Sequence, residues 1–214
     1  MTRRLLGSAA LVIGVAARLA VAQDGQLDPL SRLDQRFRVP IEAVIDSARQ
    51  AGLPWDAVRS KALQGISMHF DASTIVKSVR QYYVNLVKAR DVLGPLGASE
   101  LSSGASALSA GIRPDELALF RPTAPGRSPT YALVYLTGLI SAKQGVPRED
   151  AVAAFAKLWK DGAGDSDFDL LWRGIDQDIL SGVSPKAALQ NQVRRIPARP
   201  IRPPADQNQE NPRS

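Results

Sequence analysis

The sequence predicts an all-α fold, a compact array of short antiparallel helices with Gly-Pro boundaries and a disordered C-terminal tail. Three observations predict it. Apolar residues recur at helical spacing through most of the chain. One punctuation closes and reopens these stretches again and again. And no run of alternating β-branched residues of the kind a strand needs is present.

The punctuation reads Gly52-Leu53-Pro54-Trp55-Asp56, and recurs at Gly111-Ile112-Arg113-Pro114-Asp115-Glu116, Gly145-Val146-Pro147-Arg148-Glu149-Asp150 and Gly182-Val183-Ser184-Pro185. Each part has a cause. Glycine takes the left-handed conformation that ends a helix, and the apolar residue after it packs back on the last turn. Proline fits the start of the next helix, where its missing N–H costs nothing. Aspartate and glutamate then meet the positive end of the helix dipole.

The chain opens with Arg3-Arg4, an uncharged apolar run from Leu5 to Ala17, and Ala20-Val21-Ala22 before Gln23. That is the basic, apolar and small-residue order of a secretory signal, expected to be cleaved after Ala22. The run is interrupted by Arg18 and falls short of the roughly 20 apolar residues of a spanning helix. A twin-arginine route is suggested only faintly by Arg3-Arg4. The expected organisation is a signal peptide over 1–22, one all-helical domain over 23–193 and a tail over 194–214.

Within the body, Ile41, Val44, Ile45 and Ala48 make the first stripe. Val58, Ala62 and Leu63 belong to a short helix after Pro54 that is expected to stop at Gly65. The longest helix is predicted from about Ala72 to Leu93, with Asp71 as N-cap and a stripe of Ile75, Val76, Val79, Tyr83, Leu86, Val87 and Arg90. Leu101, Ala105 and Leu108 mark a weaker helix after Ser99, and Leu117 and Phe120 a short one after Pro114. A Pro/Gly/Ser loop runs from Pro122 to Pro129. Tyr131 to Ala142 is apolar nearly all round, which predicts a central buried helix. Helices over Arg148–Lys160, Ser166–Leu180 and Lys186–Val193 follow. From Arg194 the pattern stops, and five Arg and five Pro among the last residues predict a disordered or polyproline-like tail.

Charge narrows the function. The whole chain has 27 Lys and Arg against 21 Asp and Glu, but three arginines lie in the signal. The tail from Arg194 carries five arginines against Asp206 and Glu210. The body is therefore balanced, which removes the compositional support for nucleic-acid binding. The absence of cysteine excludes disulfides, thiolate metal sites and a lipid-modified cysteine at the cleavage point. An exported domain without disulfides needs an ordinary core, and this length supplies one.

The stretch Ala51-Gly52-Leu53-Pro54, followed by Lys61-Ala62-Leu63-Gln64-Gly65 and Ile75-Val76-Lys77-Ser78-Val79, resembles a group of uncharacterised, signal-bearing bacterial proteins with repeated Gly-(Leu/Val)-Pro helix starts. The Gly145-Val146-Pro147 segment is similar to their second half, and the likeness covers about Asp28 to Leu180. It implies no activity and no functional residue. His69-Phe70-Asp71 stands where a Gly/Pro turn belongs in that pattern.

Candidate sites are few. His69 is the only histidine, so neither a histidine-based triad nor a multi-histidine zinc site can be assembled. It reads as a polar turn residue. Asp165-Ser166-Asp167-Phe168-Asp169, with Asp176 at the twelfth position, spells part of a calcium loop. Leu170 occupies the sixth position, where the sharp turn asks for glycine. The alternative is that Asp165 or Ser166 caps a helix and Asp167 and Asp169 fill its first turn. Trp55, Tyr82, Tyr83, Phe155, Trp159 and Trp172 could line a sugar-binding face, although Phe155 and Trp159 have core spacing. Asp56, Glu100, Glu116 and Glu149 read as helix-start acids. No phosphate loop, nucleophile elbow or S-x-x-K pattern occurs, and no cofactor is expected.

The expected function is an exported, periplasmic or extracellular, non-enzymatic interaction or structural module of the cell envelope. Its partner is a protein or an anionic envelope component, and no transmembrane helix remains after signal cleavage. The alternative is a secreted hydrolase using paired carboxylates. Geometry separates the two. Carboxylates facing each other about 5–9.5 Å apart across a deep cleft favour the enzyme. A shallow apolar groove between helices favours the interaction module.

Overall fold

The computed structural model describes residues 28–142 and 145–198. The segment expected to be a signal, residues 1–22, and the tail beyond residue 198 lie outside the described residues. All regular structure among the described residues is helical: α1 (Gln35–Gln50), α2 (Trp55–Ser67), α3 (Ala72–Leu93), α4 (Ala98–Ser109), α5 (Pro114–Leu117), α6 (Thr130–Ser141), α7 (Arg148–Lys160), α8 (Asp165–Leu180) and α9 (Pro185–Arg195), with 3₁₀ turns at Pro29–Arg32 and Ala118–Phe120. None of these helices is long and apolar enough to cross a membrane.

The punctuation works as its chemistry requires. Gly52, Gly111, Gly145 and Gly182 all have positive φ, from +65° to +95°. At Gly52 and Gly182 the backbone shows why. Gly52 N–H donates to Arg49 and Leu53 N–H to Ala48, and Gly182 N–H donates to Ile179 and Val183 N–H to Asp178. The left-handed residue turns both N–H groups back onto carbonyls the helix would otherwise leave open. Leu53 and Ile112, the apolar residues that follow two of the four glycines, are buried. Pro114 and Pro185 are the first residues of their helices, whereas Pro54 and Pro147 stand one position earlier, as N-caps.

The apolar stripes close two linked clusters. One gathers Ile41, Ile45, Val58, Ile75, Val79 and Leu86 with Leu101 and Ala105. The other gathers Leu93, Leu117, Phe120, Leu133, Leu136, Phe155, Phe168, Leu171, Ile175 and Leu189. α3 and α4 serve both. The first part of α3 faces one cluster and Ala89 and Leu93 the other. α4 is rich in Ala, Ser and Gly because it lies close to α3. A Cβ on Gly104 would come 2.9 Å from Leu93 Cδ1 and 3.1 Å from Ala89 Cβ.

Several boundaries and faces differ from the sequence expectation. α2 does not stop at Gly65 but continues to Ser67. Gly65 is buried within it, because a Cβ there would come 2.8 Å from Ile75 Cγ1. The turn falls on His69 instead, with φ +56°. His69 N–H donates to Ile66 and Phe70 N–H to Gly65, the same closure made without glycine. The α3 stripe is rotated from the expected one. Tyr82, Asn85, Ala89 and Leu93 are buried with Ile75, Val79 and Leu86, while Val76, Tyr83, Val87 and Arg90 are half-buried. α6 is not buried all round, since Tyr131 and Val134 are about half exposed at 48% and 49%. α9 continues through Arg194 to Arg195, and Ile196 packs on the second cluster, so ordered packing extends beyond residue 193.

Candidate functional site

α1 and α3 run parallel. Arg90, near the end of α3, donates to the Ala51 carbonyl just past the end of α1, at 3.0 Å. Their first halves are then brought together, and the seam between them opens as a shallow groove of about 450 Å³. α1 contributes Arg36, Phe37 and Pro40, and α3 contributes Ser73, Val76, Lys77, Arg80, Gln81 and Val84. The α3 residues lie three or four apart, the spacing of one helix face.

Local rules hold each wall. The Asp34 side chain accepts the Arg36 N–H at 2.9 Å and starts α1. Pro40 sits inside α1 and has no N–H to offer the Arg36 carbonyl one turn earlier. Asp71 starts α3 by accepting the Thr74 N–H at 2.9 Å, the Ser73 hydroxyl at 2.6 Å and the Thr74 hydroxyl at 2.5 Å. The Ser73 and Thr74 hydroxyls, then the Thr74 N–H, hold the Asp71 carboxyl down to about 2.

The charges of the groove have one sign. Arg36, Lys77 and Arg80 are cationic, and no acid is among the lining residues. The side chains of Lys77 and Arg80 make no hydrogen bond or ion pair among the described residues. Arg36 lies 4.7 Å from the Phe37 ring centre and 3.6 Å from Asp34, with both side chains of that pair mostly exposed. Two other surface grooves hold both signs, while the lining of the one between α8 and α9 has Arg173 and Arg195 and no acid. Beside α2 one holds both Asp56 and Lys61. Between α8 and α9, Arg173 pairs with Asp169 at 2.9 Å and Arg195 donates to Gln192 at 3.4 Å.

The residues singled out in the sequence are scattered. His69 is exposed in the turn before α3. The Asp165–Asp169 segment is not a loop. It is the first turn of α8, and Gly164, not Asp165 or Ser166, is the N-cap. Asp167 turns back to accept the Gly164 N–H at 2.9 Å. Asp169 accepts the Tyr135 hydroxyl at 2.8 Å and pairs with Arg173, and these two hold its carboxyl below the usual range, the tyrosine contributing most. Among the described residues, no group of three or more acidic or histidine side chains is placed to hold a metal ion.

Nor do the six aromatics share a face. Phe155 stacks on Phe168 in the core, 5.6 Å between ring centres. Trp159 is buried under the Arg127 guanidinium, 3.7 Å from its ring centre. Tyr82 is buried and donates to the Ser102 carbonyl. Trp55 is an exposed platform for Arg49. Only Trp172 joins a surface row, with Tyr135 at 6.1 Å and Tyr131 a further 6.3 Å on.

Of the helix-start acids, Asp56, Glu100 and Glu149 lie in first turns. Glu116 does more. It is buried, accepts the Arg113 N–H at 2.8 Å, and accepts Arg148 Nη1 from α7 at 2.6 Å. Burial pushes its carboxyl up, but the Arg113 N–H and the Arg148 guanidinium outweigh burial and hold it below its ordinary value.

No protein family, curated protein or solved structure matches the chain. The assignment of a site therefore rests on the geometry above. The sequence reading missed Arg36, Lys77 and Arg80 as a set. The signal available for it was the run Ser73, Val76, Lys77, Arg80 and Val84 along one face of α3, where apolar and cationic residues alternate without an acid.

Proposed function

We propose that the protein is an exported, non-enzymatic helical interaction module of the cell envelope, and that its anionic partner docks in the groove between α1 and α3. The observation that carries this reading is the groove's composition. Its floor is apolar, its rim cationic, and the side chains of Lys77 and Arg80 have no partner within the described residues. Such a surface favours an anionic partner electrostatically and offers it apolar area to bury. The order of residues 1–22 supports export. The alternative, a hydrolase with paired carboxylates, has no specific observation in its favour. The buried carboxylate of Glu116 is enclosed by Arg113 and Arg148 rather than open to a substrate.

Cell fractionation tests the proposal with the wild-type chain and the double variant Lys77→Glu, Arg80→Glu. The wild type should be found outside the cytoplasm, starting at Gln23 by intact mass, and held in the envelope fraction at low salt. High salt should release it, since it screens charge pairs beyond a few ångströms. The variant should be released at low salt. A cytoplasmic, full-length chain overturns export. Envelope retention that the charge reversal leaves unchanged overturns the groove as the docking site.

A further inference from the structure

We infer that the aromatic row on α6 and α8 is a second binding site, and that its ligand is a neutral, β-linked glycan strand. The inference goes beyond the proposed role of the α1–α3 groove and does not depend on it. Tyr131 and Tyr135 stand one turn apart on α6, with ring centres 6.3 Å apart. Gly138 continues that face at the next turn. It has no side chain there, and the Trp172 ring of α8 fills the place, with Cη2 and Cζ3 3.3 Å from where a Cβ would stand. The tryptophan ring centre is 6.1 Å from that of Tyr135. Three rings therefore follow one another along the axis of α6. A face-to-face stack brings the atoms of two rings to about 3.5–4.0 Å. These ring centres are wider apart and their planes tilt by 30° and 34°, so neighbouring rings do not fully cover each other. Tyr131 is 48% exposed, and Tyr135 and Trp172 are partly exposed.

Chemistry selects the ligand. The polar edge of the row is one chain of contacts. Tyr135 Oη donates to Asp169 at 2.8 Å, and Arg173 meets the same carboxylate through Nε at 3.1 Å and Nη2 at 2.9 Å. Acid and guanidinium are matched there, so this edge has no excess charge to draw a phosphate or a carboxylate, unlike the α1–α3 groove. An acyl chain laid on the row would leave the edge without polar partners. An apolar protein surface would take the ion pair out of water, which costs more than the pair returns. A pyranose meets both halves of the site. The C–H bonds on its face carry the positive partial charge that the negative face of an aromatic ring attracts. Its hydroxyls both donate and accept, so they replace water on Asp169 and Arg173. Three rings in line contact successive sugars, so the ligand is a strand rather than a single sugar. An extended β-linked strand keeps its sugars in line as these rings are, whereas an α-linked strand coils.

The test is calorimetric titration of the purified chain with cellotetraose and chitotetraose. Glucose, N-acetylglucosamine, maltotetraose and tetragalacturonate are the comparison arms. The variants are Tyr131→Ala, Tyr131→Phe, Trp172→Ala, and Lys77→Glu with Arg80→Glu. The expected result is saturable binding of at least one β-linked tetramer, at least about tenfold tighter than its own monosaccharide and than maltotetraose. Tyr131→Ala and Trp172→Ala should each weaken it at least about fivefold. Tyr131→Phe, which keeps the ring, and the charge-reversed groove should bind as the wild type does. Tyr131 is exposed, so its two variants decide the matter if Trp172→Ala lowers the melting temperature. Failure of both β-linked tetramers to bind at millimolar concentration would overturn the inference and leave the row a surface for a protein. Equal binding of the monosaccharide would remove the strand, equal binding of maltotetraose the linkage, and tighter binding of tetragalacturonate the neutrality; each overturns it. Binding unchanged in Tyr131→Ala would take the glycan off the row, and binding lost in the charge-reversed groove would move it there; both overturn it too. The proposal for the α1–α3 groove fails separately, since it stands or falls on envelope retention.

Discussion

Replacing Glu116 should uncouple α5 from the start of α7. The side chain is 7% exposed and receives two short hydrogen bonds, one from the Arg113 N–H at 2.8 Å and one from Arg148 at 2.6 Å. A bond involving a charged group contributes about 1.5–3 kcal/mol. The third contact, Arg113 Nη2 at 3.1 Å, comes from a side chain more than half exposed and adds little. Glu116→Ala removes both strong bonds. It leaves a mostly buried Arg148 with the Gly111 carbonyl at 3.2 Å as its remaining acceptor across the interface. The expected loss is about 3 kcal/mol, with the two bonds partly offset by water reaching Arg148. For a chain of this size that is a fall in melting temperature of roughly 6–12 °C. Glu116→Gln keeps one acceptor and should lose about half as much. The pH dependence gives a second check. The folded carboxyl is held below its unfolded value, so its stabilisation is present above that value and is lost as pH falls through the folded one. The gap between wild type and Glu116→Gln, measured by calorimetry at pH 7, should therefore narrow at pH 3. A gap of the same size at both pH values, or a loss below about 1 kcal/mol for Glu116→Ala, would refute the account of Glu116 as an ionised link.

Three further outcomes follow from the turns and the chain end. Gly182→Ala meets open space at φ +89°, so it isolates the left-handed penalty, about 1 kcal/mol. Gly145→Ala adds a contact of 3.2 Å to Pro185 Cγ at φ +77° and should cost more. Denaturant titration giving the reverse order would contradict the turn geometry. His69→Gly relieves a non-glycine residue at φ +56° and should raise stability by about 0.5 kcal/mol despite the looser unfolded chain. A lower melting temperature would show that the imidazole makes a contribution of its own. Deleting residues 197–214 keeps Ile196, which packs on the second cluster, and should leave the melting temperature within about 1 °C. A larger drop would mean that the removed segment docks on the body.

The helix ends were legible because each is written locally. A cap, a glycine and the apolar residue after it lie within a few positions, so α3 and α7 begin and end where the sequence places them. The misses came from residues whose role is set across the fold. Gly65 carries the same letter as the true stops, but it is glycine because Ile75 of α3 packs against its backbone. The real stop, His69, carries no stop signal, since histidine reaches the left-handed conformation only when its surroundings hold it there. α6 reads as buried on every side because its outer residues are apolar too. Tyr131 and Tyr135 form a surface row with Trp172 instead, and Gly138 makes room for that ring 3.3 Å from where a Cβ would stand.

The groove was illegible for a different reason, and the capping pattern itself explains it. A balanced charge count suggests a surface without a basic face only if acids and bases mix at random. Here they do not. Asp28, Asp34 and Asp71 are drawn to helix starts, where N–H groups bind them, and Glu116 and Asp167 are turned inward by the same demand. Lysine and arginine have no such pull toward helix starts, and Lys77 and Arg80 lie along the side of α3. Where two such sides meet without an acid between them, a neutral body presents a cationic seam. Arg36 and Arg80 are far apart in the chain, and only the parallel packing of α1 on α3 brings them to one groove. The rule that makes the helices readable from sequence therefore also segregates the charges, and a net count conceals that segregation because it sums over position.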